Sequence, residues 1–126
     1  MSKTPFNPQN SVIIIDAVIK AQKSAITHLV LDTGASTVVL GWRLTTAIGI
    51  VIDPKRVTHT TTASAVETVP QIVIPEINAL GKTIKRVPAI VKDLPPESGV
   101  DGLLGLSFLR HFRLTIDFPA GILQLD

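Results

Sequence analysis

The sequence holds no cysteine, which excludes disulfides and thiolate metal sites and suits a reducing compartment. It holds no tyrosine, one tryptophan and four phenylalanines, 4% aromatic in all. That scarcity, with no basic stripe, argues against a β-barrel that stacks nucleic-acid bases. Charge is also sparse, at 17% of residues with a formal net charge of +2. The densest cationic group is Lys82, Lys85, Arg86 and Lys92, too loose for nucleic-acid recognition and read as a solvated strand face. No apolar run approaches the length of a membrane span. The start, Met1 to Pro8, has no apolar stretch of signal-peptide length. These absences lead us to expect no nucleic-acid partner, no membrane partner and a cytoplasmic location. His28, His59 and His111 are far apart with no ligand spacing, so no metal site is expected.

What the sequence does hold is apolar and β-prone. Hydrophobic residues make up 45% of 126 positions, enough to bury a core and to exclude disorder. The length fits a single domain over 1–126. So much apolar content in a short chain also points to burial against a partner.

The first ten residues are polar, carry two prolines and read as an irregular arm. Strands are expected at Ser11–Lys20 and Ala25–Leu31, each rich in β-branched residues, and again at Thr37–Leu40. Arg43–Ile48 reads as a short helix stopped at Gly49. Asp53-Pro54 marks a turn. Val57–Val69 reads as a hairpin turning near Ala63-Ser64. Strands follow at Gln71–Ile77 and Thr83–Val91, then a loop with Pro95-Pro96 and a short buried strand over Val100–Gly105. Leu106–Phe112 places Leu106, Leu109 and Phe112 at helical spacing. The chain closes in a hairpin around Pro119-Ala120-Gly121. Many short strands and two short helices predict a mostly β domain, a small closed barrel. A faint internal repeat of strand, glycine loop and short helix links Val30–Ile48 to Val100–Phe112.

Asp32, in Leu29-Val30-Leu31-Asp32-Thr33-Gly34-Ala35-Ser36, is the leading candidate for chemistry. An apolar strand running into a loop holds a functional group on a rigid support. Gly34 allows a sharp turn, and the Thr33 hydroxyl can pin the loop by hydrogen bonding. A bare Asp-Thr-Gly reads first as an Asx turn, and the wider pattern reverses that preference. Other candidates are weaker. Gly81-Lys82-Thr83 has Glu76 where a phosphate loop needs glycine. Asp16, Asp101 and Asp117 read as structural carboxylates. Ser24, Ser36 and Ser107 lack a positioned histidine. Trp42 reads as core.

Asp32-Thr33-Gly34-Ala35 after an apolar pair, with Leu103-Leu104-Gly105 opening a short helix near the C-terminus, resembles the retropepsin-like aspartic proteases. The hairpin Val57–Val69 stands where that family carries its flap, so the resemblance spans roughly Ser11 to Leu125. It implies a homodimeric acid-protease barrel and an aspartic endopeptidase acting on a peptide or protein substrate. It implies Asp32 from each subunit as the catalytic pair, supported by Thr33 and Gly34. Like charges so close share a proton, and aspartic proteases are themselves the standing example of such coupling. No metal or cofactor is required. Val30, Ala35, Ser36, Val39 and Leu103 would contact substrate, with Thr62, Ala63, Ser64 and Ala65 at the flap tip. The C-terminal strand and the N-terminal arm would interlock the two subunits. Ser36 and Leu106 stand where viral members carry a paired Asp and Arg; both are absent together, so no charge is stranded and the cellular type is the closer match. The tip has no glycine. The alternative is a non-catalytic dimeric module that keeps this fold to bind peptide or to assemble.

Overall fold

The computed structural model describes residues 2–61 and 63–126. Among the described residues, ten strands and two short α-helices follow in order: β1 (Ser2–Pro5), β2 (Ile14–Lys20), β3 (Ser24–Leu31), β4 (Val38–Leu40), α1 (Trp42–Ala47), β5 (Val57–Thr61), β6 (Val66–Ala79), β7 (Lys82–Val91), β8 (Gly102–Leu104), α2 (Leu106–Leu109), β9 (Leu114–Asp117) and β10 (Ile122–Leu125). A single 3-10 turn at Pro96–Ser98 interrupts the loop before β8.

The larger sheet runs β2-β3-β8-β4-β7-β6-β5, and a second pairing of β2 with β6 closes six of its strands into a barrel. Strand alternation explains what fills it. In β2 the residues Ile15, Ala17 and Ile19 point in and are buried, while Ile14, Asp16 and Lys20 point out. Leu29, Leu31, Val38, Leu40 and Leu104 join them, and Phe108 of α2 plugs the end with no exposed surface. Thr27 is buried on the same side, and its hydroxyl donates to the Ala17 carbonyl at 2.9 Å, so no polar group is stranded.

β6 departs from the sequence reading, which ended a hairpin at Val69 and began a new strand at Gln71. It is one strand of 14 residues. Buried positions fall at 69, 72, 74, 77 and 79, so the two-residue alternation slips by one twice. Pro70 and Pro75 sit at the two slips. Proline brings no N–H to the ladder, and opposite Pro75 the register skips Arg86, whose φ is 58°. The strand is thus continuous in pairing but stepped in facing, which a reading by alternation takes for two strands.

The N-terminal arm, expected to be irregular, is a strand over Ser2–Pro5. It pairs antiparallel with β10, Ser2 opposite Leu125, and β10 pairs on its other edge with β9. The two terminal segments, expected to interlock between subunits, therefore interlock within one chain. Nothing local in a polar stretch with two prolines announces this, because the pairing partner lies more than a hundred residues away. The helix ends did follow local signals: α1 stops before Gly49, whose φ of 82° suits glycine. Trp42, expected in the core, is 43% exposed at the start of α1; its N–H donates to Asp93 Oδ1 at 2.9 Å. No helix among the described residues is long and apolar enough to cross a membrane.

Candidate active site

β8 lies between β3 and β4, parallel to the first and antiparallel to the second, with Leu103 opposite both Val30 and Val39. This crossing brings the two glycine-containing signatures together. Three strands can meet so closely only where side chains are missing. A Cβ on Gly102 would strike the Val39 carbonyl, and one on Gly105 would strike the Thr37 carbonyl and come within 2.7 Å of the Ala35 carbonyl.

Backbone hydrogen bonds then join the loops. The Asp32 N–H donates to the Leu104 carbonyl at 3.1 Å, and the Leu106 N–H donates to the Ala35 carbonyl at 2.8 Å. Ser107 adds a side-chain link. Its hydroxyl accepts the Val38 N–H at 2.9 Å and donates to the Pro88 carbonyl at 2.7 Å. The sequence reading weighed Ser107 only as a nucleophile; at 6% exposure it is a structural joint.

Asp32 follows the last residue of β3 and is half-buried. Its Oδ1 accepts the Gly34 N–H at 2.8 Å, which fixes the carboxyl group in the turn. A Cβ at residue 34 would sit 3.1 Å from that oxygen, so glycine leaves the carboxylate its place. Asp32 thus closes an Asx-type turn through one oxygen and also borders a hollow.

Among the hollows that border the loop, two adjoin Asp32 or Gly34. One, of about 370 Å³, is bounded by Asp32, Val30, Val12, Ile13 and Phe118. The other, of about 350 Å³, has Gly34, Ala35, Ser36, Val39 and Leu103 on one wall and the β5 residues His59, Thr60 and Thr61 on the other. Of the expected substrate contacts, Val30 therefore stands in the first hollow and Ala35, Ser36, Val39 and Leu103 in the second. Thr33 and Gly34 are exposed. Ala63, Ser64 and Ala65 form the exposed tip of the β5–β6 hairpin and border neither hollow; Thr62 lies outside the described residues. The hairpin faces the cleft through a strand leg rather than its tip. His59 accompanies it, hydrogen-bonded to Thr68 at 3.2 Å.

Sequence reasoning missed His59, Thr60, Thr61, Lys92 and Leu94 in the second hollow, and Phe118 in the first. Lys92 pairs with Glu67 at 2.8 Å and ties the hairpin to the wall of the cleft. The expected structural carboxylates do serve structure: Asp101 accepts the His28 N–H at 2.8 Å, Asp16 meets the His28 ring at 2.8 Å, and Asp117 accepts the Ala120 N–H at 3.0 Å.

A family model described as aspartyl protease matches residues 18–108 of the chain. Among solved structures, a retropepsin-like aspartic protease from Rickettsia conorii superposes with a TM-score of 0.69 at 23% identity, over 98% of this chain and 89% of that one. No curated protein matches. The fold is that of the retropepsin-like proteins, and the expected mostly β barrel with two short helices is borne out.

Proposed function

The chain belongs to the aspartyl protease family, and from that premise we propose that two copies associate about a twofold axis and hydrolyse peptide bonds with one Asp32 from each. The observation that carries this reading is the Asp32 carboxyl, fixed by the Gly34 N–H at 2.8 Å, on a residue that borders one hollow while its loop borders a second. The chain has a single Asp-Thr-Gly. General acid–base hydrolysis by this route uses two carboxyl groups, and an isologous dimer supplies the second by symmetry.

The ionised Asp32 takes a proton from a water molecule as the water oxygen bonds to the substrate carbonyl carbon. The protonated Asp32 gives its proton to the carbonyl oxygen. The tetrahedral adduct then breaks its C–N bond, and the amine leaves with a proton returned through the pair. Thr33 and Gly34 support the loop. Val30, Ala35, Ser36, Val39 and Leu103 offer mainly apolar walls, so substrates carrying hydrophobic residues around the scissile bond fit best. The chain has no disulfide to lose, which suits cytoplasmic work on a peptide or protein substrate.

The deciding experiment is digestion of a peptide library by the wild type and by Asp32→Asn in parallel. Cleavage by the wild type alone supports the proposal. A folded dimer that cleaves nothing favours a binding module instead, and equal cleavage by both removes Asp32 from the chemistry.

A further inference from the structure

We propose that Phe118, in the turn between β9 and β10, is a specificity-determining residue that makes the site prefer a large aromatic side chain next to the scissile bond. The inference rests on the proposed peptidase reading, but its own evidence is separate. Asp32 and Phe118 line the same hollow. A side chain seated there belongs to a residue within reach of the reacting carbonyl.

The chain uses aromatics sparingly: four phenylalanines and one tryptophan in 126 residues. Phe108 is fully buried, Phe6 and Phe112 are half-buried, and Phe118 is 54% exposed. An isolated exposed apolar residue needs no explanation, but this one is held in place. Its ring meets Phe6 edge-on, with centroids 5.7 Å apart and planes at 85°. Its carbonyl accepts the Gly121 N–H at 3.2 Å, and the Phe6 N–H donates to the Gly121 carbonyl at 2.9 Å. Asp117 Oδ1 closes the turn through the Ala120 N–H. Gly121, with φ of 66°, supplies the left-handed residue that the turn requires. The ring is therefore held against Phe6, and the residue lines the hollow while half of it stays exposed. Val12, Ile13, Val30 and Leu31 supply further apolar lining, beside the polar Asn10 and Ser11. Aromatic pairs favour edge-on and offset contacts beyond what buried area alone provides, which selects an aromatic over an aliphatic guest.

The test uses two uncleavable reduced-amide peptides that differ only in Phe or Ala beside the reduced bond, together with their natural-amide counterparts. Dissociation constants are measured for the full-length wild type, Phe118→Ala and Phe118→Leu, with dimer content followed by sedimentation. We expect the wild type to bind the Phe peptide about tenfold or more tightly than the Ala peptide, within the range for apolar pocket discrimination. Phe118→Ala should bring that ratio close to one, with Phe118→Leu intermediate. An unchanged ratio in both variants overturns the proposal, and so does a wild type that prefers neither peptide. Loss of dimer in Phe118→Ala with an unchanged ratio in Phe118→Leu overturns it too and assigns the ring to the subunit contact. Hydrolysis of the natural amides by wild type and Asp32→Asn reports separately on the peptidase reading. A shifted binding ratio without cleavage keeps Phe118 as the wall that selects an aromatic side chain, but removes the peptidase and with it the scissile bond.

Discussion

The hydroxyl of Ser107 accepts the N–H of Val38 at 2.9 Å, across 69 residues of chain. That bond fastens the start of α2 to the strand that leaves the Asp32 loop. The same hydroxyl donates to the Pro88 carbonyl, so one buried side chain joins three segments. Ser107→Ala leaves a buried donor and an acceptor without it, at a cost of about 1–3 kcal/mol. Urea unfolding should show that loss, and a change below about 0.5 kcal/mol would mean that the joint is redundant.

Asp32→Asn should lower kcat/KM by at least about a thousandfold, in the range that acid–base groups contribute. The asparagine carbonyl oxygen can still accept the Gly34 N–H, so circular dichroism and the thermal midpoint should stay close to wild type. Turnover like that of the wild type in the purified variant would refute the assignment.

Gly34→Ala and Gly105→Ala should separate activity from folding. A Cβ at 34 sits 3.1 Å from Asp32 Oδ1 and can be accommodated by a small shift of the carboxyl. We expect a folded protein with kcat/KM reduced about tenfold or more, since displacement of a reacting group is costly. A Cβ at 105 meets two backbone carbonyls that cannot yield. That variant should lose about 3 kcal/mol or more of stability, as over-packing at its upper range does. Thermal scans beside activity assays check both, and equal behaviour of the two would contradict the geometry.

Specific activity should fall on dilution in step with the fraction of dimer measured by sedimentation, because one subunit supplies one carboxyl. Mixing the wild type with excess Asp32→Asn should suppress activity further, by drawing wild-type subunits into one-armed dimers. A concentration-independent rate from a sedimenting monomer would end the two-subunit proposal.

The pair of signatures was legible because each is a local pattern: an apolar strand, then glycine, then a short helix. Gly34 reads as a place of close approach, and a Cβ there would meet Asp32 Oδ1; the carbonyls against Gly102 and Gly105 come from strands distant in sequence. The helix stop at Gly49 and the turn at Asp53-Pro54 were likewise written locally. What was not legible depends on distant partners. β1 is a strand only because β10 offers it an edge. Phe118 borders the cleft because a terminal hairpin folds back beside the loop 10–13. His59, Thr60 and Thr61 reach the second hollow because β5 leans over the Asp32 loop, a tilt that alternation does not encode. Trp42 was misplaced because a large ring was assumed to be inside.

The unbroken course of β6 has a mechanical consequence. Its first residues form one leg of the hairpin over the cleft, opposite β5, and its last residues are locked on both edges by β7 and β2. Such a ribbon behaves as a leaf spring clamped at its root. Lifting the hairpin to admit a substrate must flex the ribbon itself. The compliant places along it are the two proline steps, at Pro70 and Pro75, where the ladder lacks an N–H. The stiffness of the hairpin is therefore set inside the barrel wall, far from its exposed tip.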